Sequence, residues 1–213
     1  MQLNVNEKRS PMLKFLSDRL LALIGLVTFS PVFLVVALLV RFRMPDGPVL
    51  FRQERIGKDG KPFRLVKFRT MTGDQTGDTV TVSGDPRVTP LGAWLRRNKV
   101  DELPELWNVL VGDMSFVGPR PDVPGYADAL TGDDREILRL RPGITGPATL
   151  KYRNEEALLA TVDDPVRYND EVIFPDKVRI NRHYLHHWSP WTDFRILWAT
   201  VFNRKMTFGG ETI

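Results

Sequence analysis

The chain has 213 residues, 42% of them hydrophobic and 26% charged, with 16 Gly, 16 Pro and no Cys. That length and balance support one domain with a sizeable core, and exclude a disordered, collagen-like or disulfide-stapled polypeptide. The lack of Cys excludes thiolate zinc centres and cysteine nucleophiles, and the 30 Lys and Arg against 26 Asp and Glu leave acidic lipid, phosphate-bearing ligands and nucleic acid as partner classes.

Residues 20–40 carry no charge at all. A straight helix of that length covers roughly 30 Å, enough to cross the hydrocarbon of a bilayer. Two features favour a different path. Ser30-Pro31 lies mid-run, where proline removes a helical hydrogen bond and bends the axis while the Ser hydroxyl can satisfy the freed carbonyl. The flanks are basic on both sides, Lys8, Arg9, Lys14 and Arg19 before the run and Arg41 and Arg43 after it, whereas a spanning helix shows a one-sided excess. The pattern predicts a re-entrant helix-break-helix with both ends on one side of the membrane. A signal peptide fits less well, because no small-x-small cleavage site follows.

From Arg41 to Arg69 nine basic residues face three acidic ones. Residues 49–52 and 63–68 read as strands around the turn Gly57-Lys58-Asp59-Gly60, so these charges sit on a hairpin, either beside anionic headgroups or around a phosphate. Residues 72–87, rich in Gly, Asp and Thr, read as a loop. Thr89 and Pro90 supply the cap and first position of a helix to about Asn98. Asp101 can cap a second helix with Leu103, Leu106, Trp107 and Leu110 on a buried face. Residues 111–125 and 141–147 read as loops with an acidic helical stretch between them. Ser189 and Pro190 open a last helix carrying Trp191, Phe194, Leu197, Trp198 and Val201 on one face, which suits either the core or a helix lying in the headgroup plane. His183 and His187 are spaced for zinc, but nothing completes a site, so surface histidines are expected. No phosphate-binding Walker loop, dinucleotide fingerprint or nucleophile elbow is present.

The densest polar cluster is Arg96-Arg97-Asn98-Lys99-Val100-Asp101-Glu102. An isolated Asp before an apolar helix is ordinarily a cap. Two adjacent carboxylates among cations, however, offer hard oxygens for Mg²⁺, and a carboxylate can attack phosphorus. The stretch from Lys99 to Leu110, followed by Gly112-Asp113-Met114-Ser115-Phe116-Val117-Gly118-Pro119-Arg120-Pro121, resembles the signature of the bacterial sugar transferases, the monotopic phosphoglycosyl transferases. The likeness extends to Lys67-Phe68-Arg69-Thr70-Met71, to Arg141-Pro142-Gly143-Ile144-Thr145-Gly146 and to the apolar segment with its central Ser30-Pro31.

This resemblance implies an enzyme that transfers a phosphosugar from a nucleotide diphosphate sugar, of the UDP class, to polyprenyl (undecaprenyl) phosphate. A nucleoside monophosphate is released, and the product starts a surface glycan such as an exopolysaccharide. It implies Asp101 as nucleophile forming an aspartyl phosphosugar, Glu102 acting beside it, and Mg²⁺ between these carboxylates and the diphosphate. Lys67, Arg96, Arg120 and Arg153 match positions that handle phosphate or nucleotide; a strand-edge charge is an equal reading for Lys67. The implied location is the cytoplasmic face of the bacterial inner membrane. The expected fold is α/β and mostly helical, with the re-entrant helix and its flanks in residues 1–43 and a catalytic region in 44–213 that carries the hairpin and amphipathic interfacial helices. One departure stands out. Many members have Asp three residues before a helical Tyr, where this chain reads Asn181-Arg182-His183-Tyr184; Asp176 is the nearest acidic substitute. The competing class is a basic, membrane-anchored nucleic-acid or lipid binder without catalysis; the resemblance implies no nucleic-acid partner.

Overall fold

The computed structural model describes residues 11–72 and 85–213; Lys8, Arg9 and most of the expected loop at 72–87 lie outside them. The chain is mostly helical with three two-stranded sheets among the described residues. Helices α1 (Pro11–Thr28) and α2 (Ser30–Arg43) meet at a bend of 62°. Pro31 has no N–H to give the Val27 carbonyl, and Ser30 Oγ donates to that carbonyl instead at 2.8 Å, as the sequence predicts. Neither helix alone is long and apolar enough to cross a membrane.

The helix pair is packed into the body. Ala22 of α1 shares a core with Leu65, Val109 and Met114, and Val36 and Val40 of α2 share another with Met44, Phe68 and Leu95. Two of the basic residues that precede the apolar run have partners within the molecule. Lys14 pairs with Asp193, and Arg19 donates to the Val111 carbonyl and covers the Phe15 ring, whose surroundings also include Arg141. The outer faces of both helices leave Leu16, Leu20, Ile24, Val27, Leu34 and Val35 exposed.

Strands β1 (Leu50–Ile56) and β2 (Pro62–Phe68) form the antiparallel hairpin, paired from Leu50 with Phe68 to Ile56 with Pro62. Arg69, just past β2, is buried and donates to the Met44, Gly47 and Pro48 carbonyls. Much of its charge thus holds the α2-to-β1 turn. Helix α3 (Pro90–Arg97) starts as expected, with Thr89 Oγ1 accepting from Gly92 N at 2.9 Å. Its first turn lies against Thr70 so closely that a Cβ on Gly92 would fall 1.9 Å from the Thr70 carbonyl oxygen. Only glycine fits there.

Asp101 is not a helix cap. Lys99 takes a left-handed φ of 56°, residues Val100–Glu102 close a separate 3₁₀ turn, and α4 (Glu105–Val111) begins after Pro104 without a side-chain cap. The face of α4 also differs from the apolar reading. Glu105, Leu106, Asn108 and Val109 are buried, whereas Trp107 is 53% exposed. Asn108 explains the inversion, because its Nδ2 donates to the Arg64 carbonyl (2.8 Å) and its Oδ1 accepts from Val66 N (3.1 Å), tying α4 to β2. Replacing Asn108 by Ala strands both backbone groups. At about 1–3 kcal/mol for each buried unsatisfied group, the variant is expected to melt several degrees lower in a detergent-solubilised thermal scan.

The two expected loops conceal a short parallel pair, β3 (Ser115–Val117) and β4 (Gly143–Thr145). A Cβ on Gly118 would lie 2.2 Å from the Arg141 oxygen, and one on Gly143 2.2 Å from Gly118 N. Gly143 N donates to the Pro119 carbonyl at 2.7 Å. The Gly-Pro-Arg-Pro and Arg-Pro-Gly segments thus brace one another and fix the chain that carries Arg120. Beyond them come 3₁₀ turns at Ala127–Ala129 and Gly132–Arg139, then α5 (Pro147–Lys151), α6 (Glu155–Leu159), α7 (Pro165–Tyr168), α8 (Phe174–His187) and α9 (Pro190–Val201). A terminal hairpin, β5 (Thr207–Phe208) and β6 (Glu211–Thr212), closes the chain.

Helix α9 is capped by Ser189, whose Oγ accepts from Thr192 N at 3.1 Å. Ile196 and Ala199 are its core residues. Trp191, Phe194, Trp198 and Val201 lie on the outer face and are all exposed, so of that stripe Leu197 alone packs against the core. The rings form a row of neighbours, from Trp191 to Phe194 to Trp198 to Phe202.

Candidate active site

Four elements converge on Asp101 and Glu102. The end of β2 brings Lys67, the 3₁₀ turn brings the two acids, the first turn of α4 brings Glu105, and the braced loop after β3 brings Arg120. Glu102 Oε1 accepts from Lys67 Nζ at 2.9 Å and from an Arg120 terminal nitrogen at 2.6 Å. Lys67 Nζ also lies 3.2 Å from Glu105 Oε1. Lys67 is thus an internal partner of both glutamates, which removes the strand-edge reading.

The three acids differ in environment. Burial alone raises the Glu102 carboxyl, but Arg120, Lys67 and Lys99 overcome it and hold the group well below the usual carboxylate range. Glu105 is buried in the same cluster with Lys67 as its near cation, and burial together with the Glu102 charge keeps its carboxyl above the usual range. Asp101 is only 6% exposed. Burial, then the neighbouring Glu102, push its carboxyl up, while Lys67, Lys99 and Arg96 pull it down. Its Oδ1 is buried with no hydrogen-bond partner among the described residues. Native proteins rarely leave such an atom unmatched, and each case calls for an explanation.

Arg96 reaches the same region from α3. Its Nε donates to Thr70 Oγ1 at 3.0 Å and one terminal nitrogen lies 3.5 Å from Glu156, while its charge acts on Asp101. Arg153 is elsewhere. Its guanidinium is bonded to Asn203 and to the Leu150 and Arg204 carbonyls, near the C-terminal end of α9, and makes no direct bond to the Asp101 cluster. Asp176 is engaged by Lys151, Tyr152 and Arg179, and Asn181 is buried in α8 with Oδ1 unpartnered. Glu105 and Asn108 are the residues a sequence reading passes over. No local signal marks them, because both fall between the apolar-periodic positions 103, 106, 107 and 110.

For Mg²⁺, the donor set is limited but suitable. No cluster of three or more His, Asp or Glu forms a cage among the described residues. Mg²⁺ ordinarily takes one or two protein carboxylates, with water and substrate phosphates completing the shell. The unpartnered Asp101 Oδ1 beside Glu102 fits that pattern; His183 and His187, stacked with ring centres 4.0 Å apart, do not.

A family model described as bacterial sugar transferase matches residues 9–206. The chain belongs to the bacterial sugar transferase family. It is 39% identical over 201 residues to the UDP-glucose:undecaprenyl-phosphate glucose-1-phosphate transferase of Escherichia coli K12, a match covering 90% of this chain and 40% of that protein. It is 36% identical over 213 residues to the UDP-N-acetylgalactosamine-undecaprenyl-phosphate N-acetylgalactosaminephosphotransferase of Aeromonas hydrophila, covering 95% of this chain and 46% of that protein. The chain therefore spans less than half the length of these two relatives. Against the exopolysaccharide production protein PSS of Rhizobium leguminosarum bv. phaseoli the identity is 37% over 198 residues, covering 89% of this chain and 93% of that protein.

Proposed function

We propose that this family member transfers a phosphosugar from a UDP-sugar to undecaprenyl phosphate, the first membrane step of a surface polysaccharide. The observation that carries the reading is the buried, unpartnered Asp101 oxygen set among Lys67, Lys99 and Arg96, with Glu102 tied down by Arg120. A weakly solvated carboxylate surrounded by cations is the form in which an anion can approach an anionic diphosphate. Asp101 forms a bond to the sugar-bearing phosphorus as the bond from that phosphorus to the bridging oxygen breaks, and the leaving oxygen departs on the nucleoside monophosphate. An oxygen of the acceptor phosphate then displaces Asp101 from the same phosphorus and gives the diphosphate-linked sugar. Arg120 and Lys67 hold Glu102 in place, and Arg96 and Lys99 offset the charge of the approaching phosphates. Asp101 and Glu102 would hold Mg²⁺, which supplies charge neutralisation on the diphosphate when bound. Arg153 serves nucleotide or phosphate from outside the acidic cluster.

The bent pair α1 and α2 is read as the re-entrant anchor at the cytoplasmic face of the inner membrane, with residues 1–43 as anchor and 44–213 as the catalytic region. Its exposed apolar faces support this, as do the exposed aromatics of α9, which suit a helix lying among headgroups. No nucleic-acid partner is invoked. Single cysteines from Met12→Cys and Asp46→Cys are expected to react with an impermeant reagent from the cytoplasmic side only; adding Pro31→Leu, which restores the missing backbone bond, is expected to move part of the population to opposite-side labelling. The activity itself is tested by presenting UDP-glucose and UDP-N-acetylgalactosamine with undecaprenyl phosphate. Release of uridine monophosphate with transfer of label to lipid supports the reading, and release of uridine diphosphate contradicts it.

A further inference from the structure

A partly buried polar network joins the start of α1 to three other elements. Lys14 Nζ meets Asp193 Oδ2 of α9 at 2.6 Å. The same carboxylate accepts from the Tyr184 hydroxyl and, at 3.0 Å, from Trp188 Nε1, both of the α8 end. One turn further along α1, Asp18 accepts from Ser115 Oγ of β3 at 2.6 Å. Asp193 has two donors on its own side of the interface, so its satisfaction does not depend on Lys14. The contact that Lys14 adds is a tie across the molecule, between a helix that carries the anchor and a helix whose outer face is aromatic.

Helix α1 is also held at Asp18 by Ser115, at Arg19 by the Val111 carbonyl and, further along, at Ala22 and Gly25, which pack against the α4 core residues Val109 and Leu106. At about 1.5 Å per residue, Ala22 lies about 12 Å along the axis from Lys14. Of these attachments Lys14 is the outermost and the one that joins α1 to α9, so it fixes the N-terminal end of α1 against the aromatic helix. The angle of α1 matters unequally for the two substrates. A water-soluble donor reaches Asp101 at any height above the bilayer, whereas the phosphate of a lipid acceptor is confined to the headgroup plane by its tail. Near-attack geometry tolerates errors of only about 1 Å.

We propose that Lys14 and Asp193 form a positioning clamp that fixes the angle of α1 and so brings the Asp101 site level with the membrane-held acceptor phosphate, without a part in the donor step. This rests on the transferase reading above. Lys14 and Asp193 are positioning residues; neither contacts the acidic cluster.

The test uses the full chain in bilayer nanodiscs with undecaprenyl phosphate and whichever of UDP-glucose or UDP-N-acetylgalactosamine the unaltered chain turns over. The donor step is read separately, as exchange of labelled uridine monophosphate into the UDP-sugar without acceptor. For Lys14→Met the expected result is a KM for undecaprenyl phosphate raised about tenfold, with exchange within about twofold of the unaltered chain. Lys14→Arg, which keeps the pair, should restore near-normal KM. Parallel loss of exchange and turnover, the signature of a merely structural role or of misfolding, would overturn the clamp. So would an unchanged acceptor KM in Lys14→Met, or no recovery in Lys14→Arg. An unaltered chain that releases uridine diphosphate instead of the monophosphate would defeat the transferase reading itself.

Discussion

Asp101→Asn is expected to lose about 10⁴-fold or more of its turnover while becoming no less stable. The side chain keeps its size but no longer carries an anionic oxygen able to attack phosphorus. Stability moves the other way for an electrostatic reason. Burial and the adjacent Glu102 raise the carboxyl of Asp101 in the folded state, so the folded protein holds that proton more tightly than the unfolded chain. Its contribution is favourable below the unfolded-state pKa and is lost as pH rises through the raised folded value. At neutral pH the buried carboxylate is therefore a cost, and Asn removes it. A variant that is inactive yet melts at the same or a higher temperature fits a residue kept for chemistry. If Asp101→Asn retained turnover, or lost it only by unfolding, the nucleophile assignment would fail.

Arg120→Met is expected to lower kcat/KM by about 10²–10³-fold and also to weaken the fold in acid. The guanidinium lies 2.6 Å from Glu102, whose carboxylate is buried while Arg120 itself is 40% exposed on its side chain. Removing it leaves Glu102 directly paired, among the described residues, with Lys67, and that cation is shared with Glu105. Because the arginine is partly solvated, the stability loss should sit below the 3–5 kcal/mol typical of breaking a fully buried pair, at about 1–2 kcal/mol. The pH dependence distinguishes this from simple loss of packing. Glu102 is held well below the usual range, after Arg120 and Lys67 overcome its burial. Its contribution is present above the unfolded-state pKa and disappears as pH falls toward the depressed folded value. Without Arg120 the folded value rises, and the acid-unfolding midpoint should move to higher pH. A midpoint that does not move would mean that Arg120 does not hold Glu102.

The elements legible in the sequence are those whose signals are local. Thr89-Pro90 and Ser189-Pro190 start helices because a hydroxyl and a proline suffice at an N-terminus, and both hydroxyls make the expected bonds. Ser30-Pro31 bends the apolar run for an equally local reason. What escaped depends on partners distant in the chain. The β3 to β4 pairing joins three-residue strands across two proline-rich loops, with glycines needed for backbone contact rather than for any strand propensity. On α4, Asn108 is buried because its amide serves the β2 backbone and Glu105 because Lys67 reaches it, while Trp107 turns outward. Apolar periodicity counts only greasy residues as inward. The partners of Lys14 and Arg19 escaped for the same reason, since nothing near them in sequence reveals Asp193 or the Val111 carbonyl.

Within the site, Lys67, Asp101, Glu102 and Arg120 come together, and Arg96 acts on Asp101 through its charge. Arg153 makes its bonds at the end of α9 instead. The resemblance identified residue types along a motif. The structure adds that the Asp and Glu of one dipeptide have opposite electrostatic fates, because only Glu102 receives the guanidinium.

The most direct measurement of the account is the intact mass of the purified chain after exposure to its UDP-sugar and Mg²⁺ without acceptor. The predicted result is a mass increase equal to one sugar phosphate, accompanied by stoichiometric uridine monophosphate, lost on adding undecaprenyl phosphate and never formed by Asp101→Asn. The contradicting result is an unmodified mass while the same preparation, given both substrates, turns over with kinetics that require donor and acceptor to be bound together.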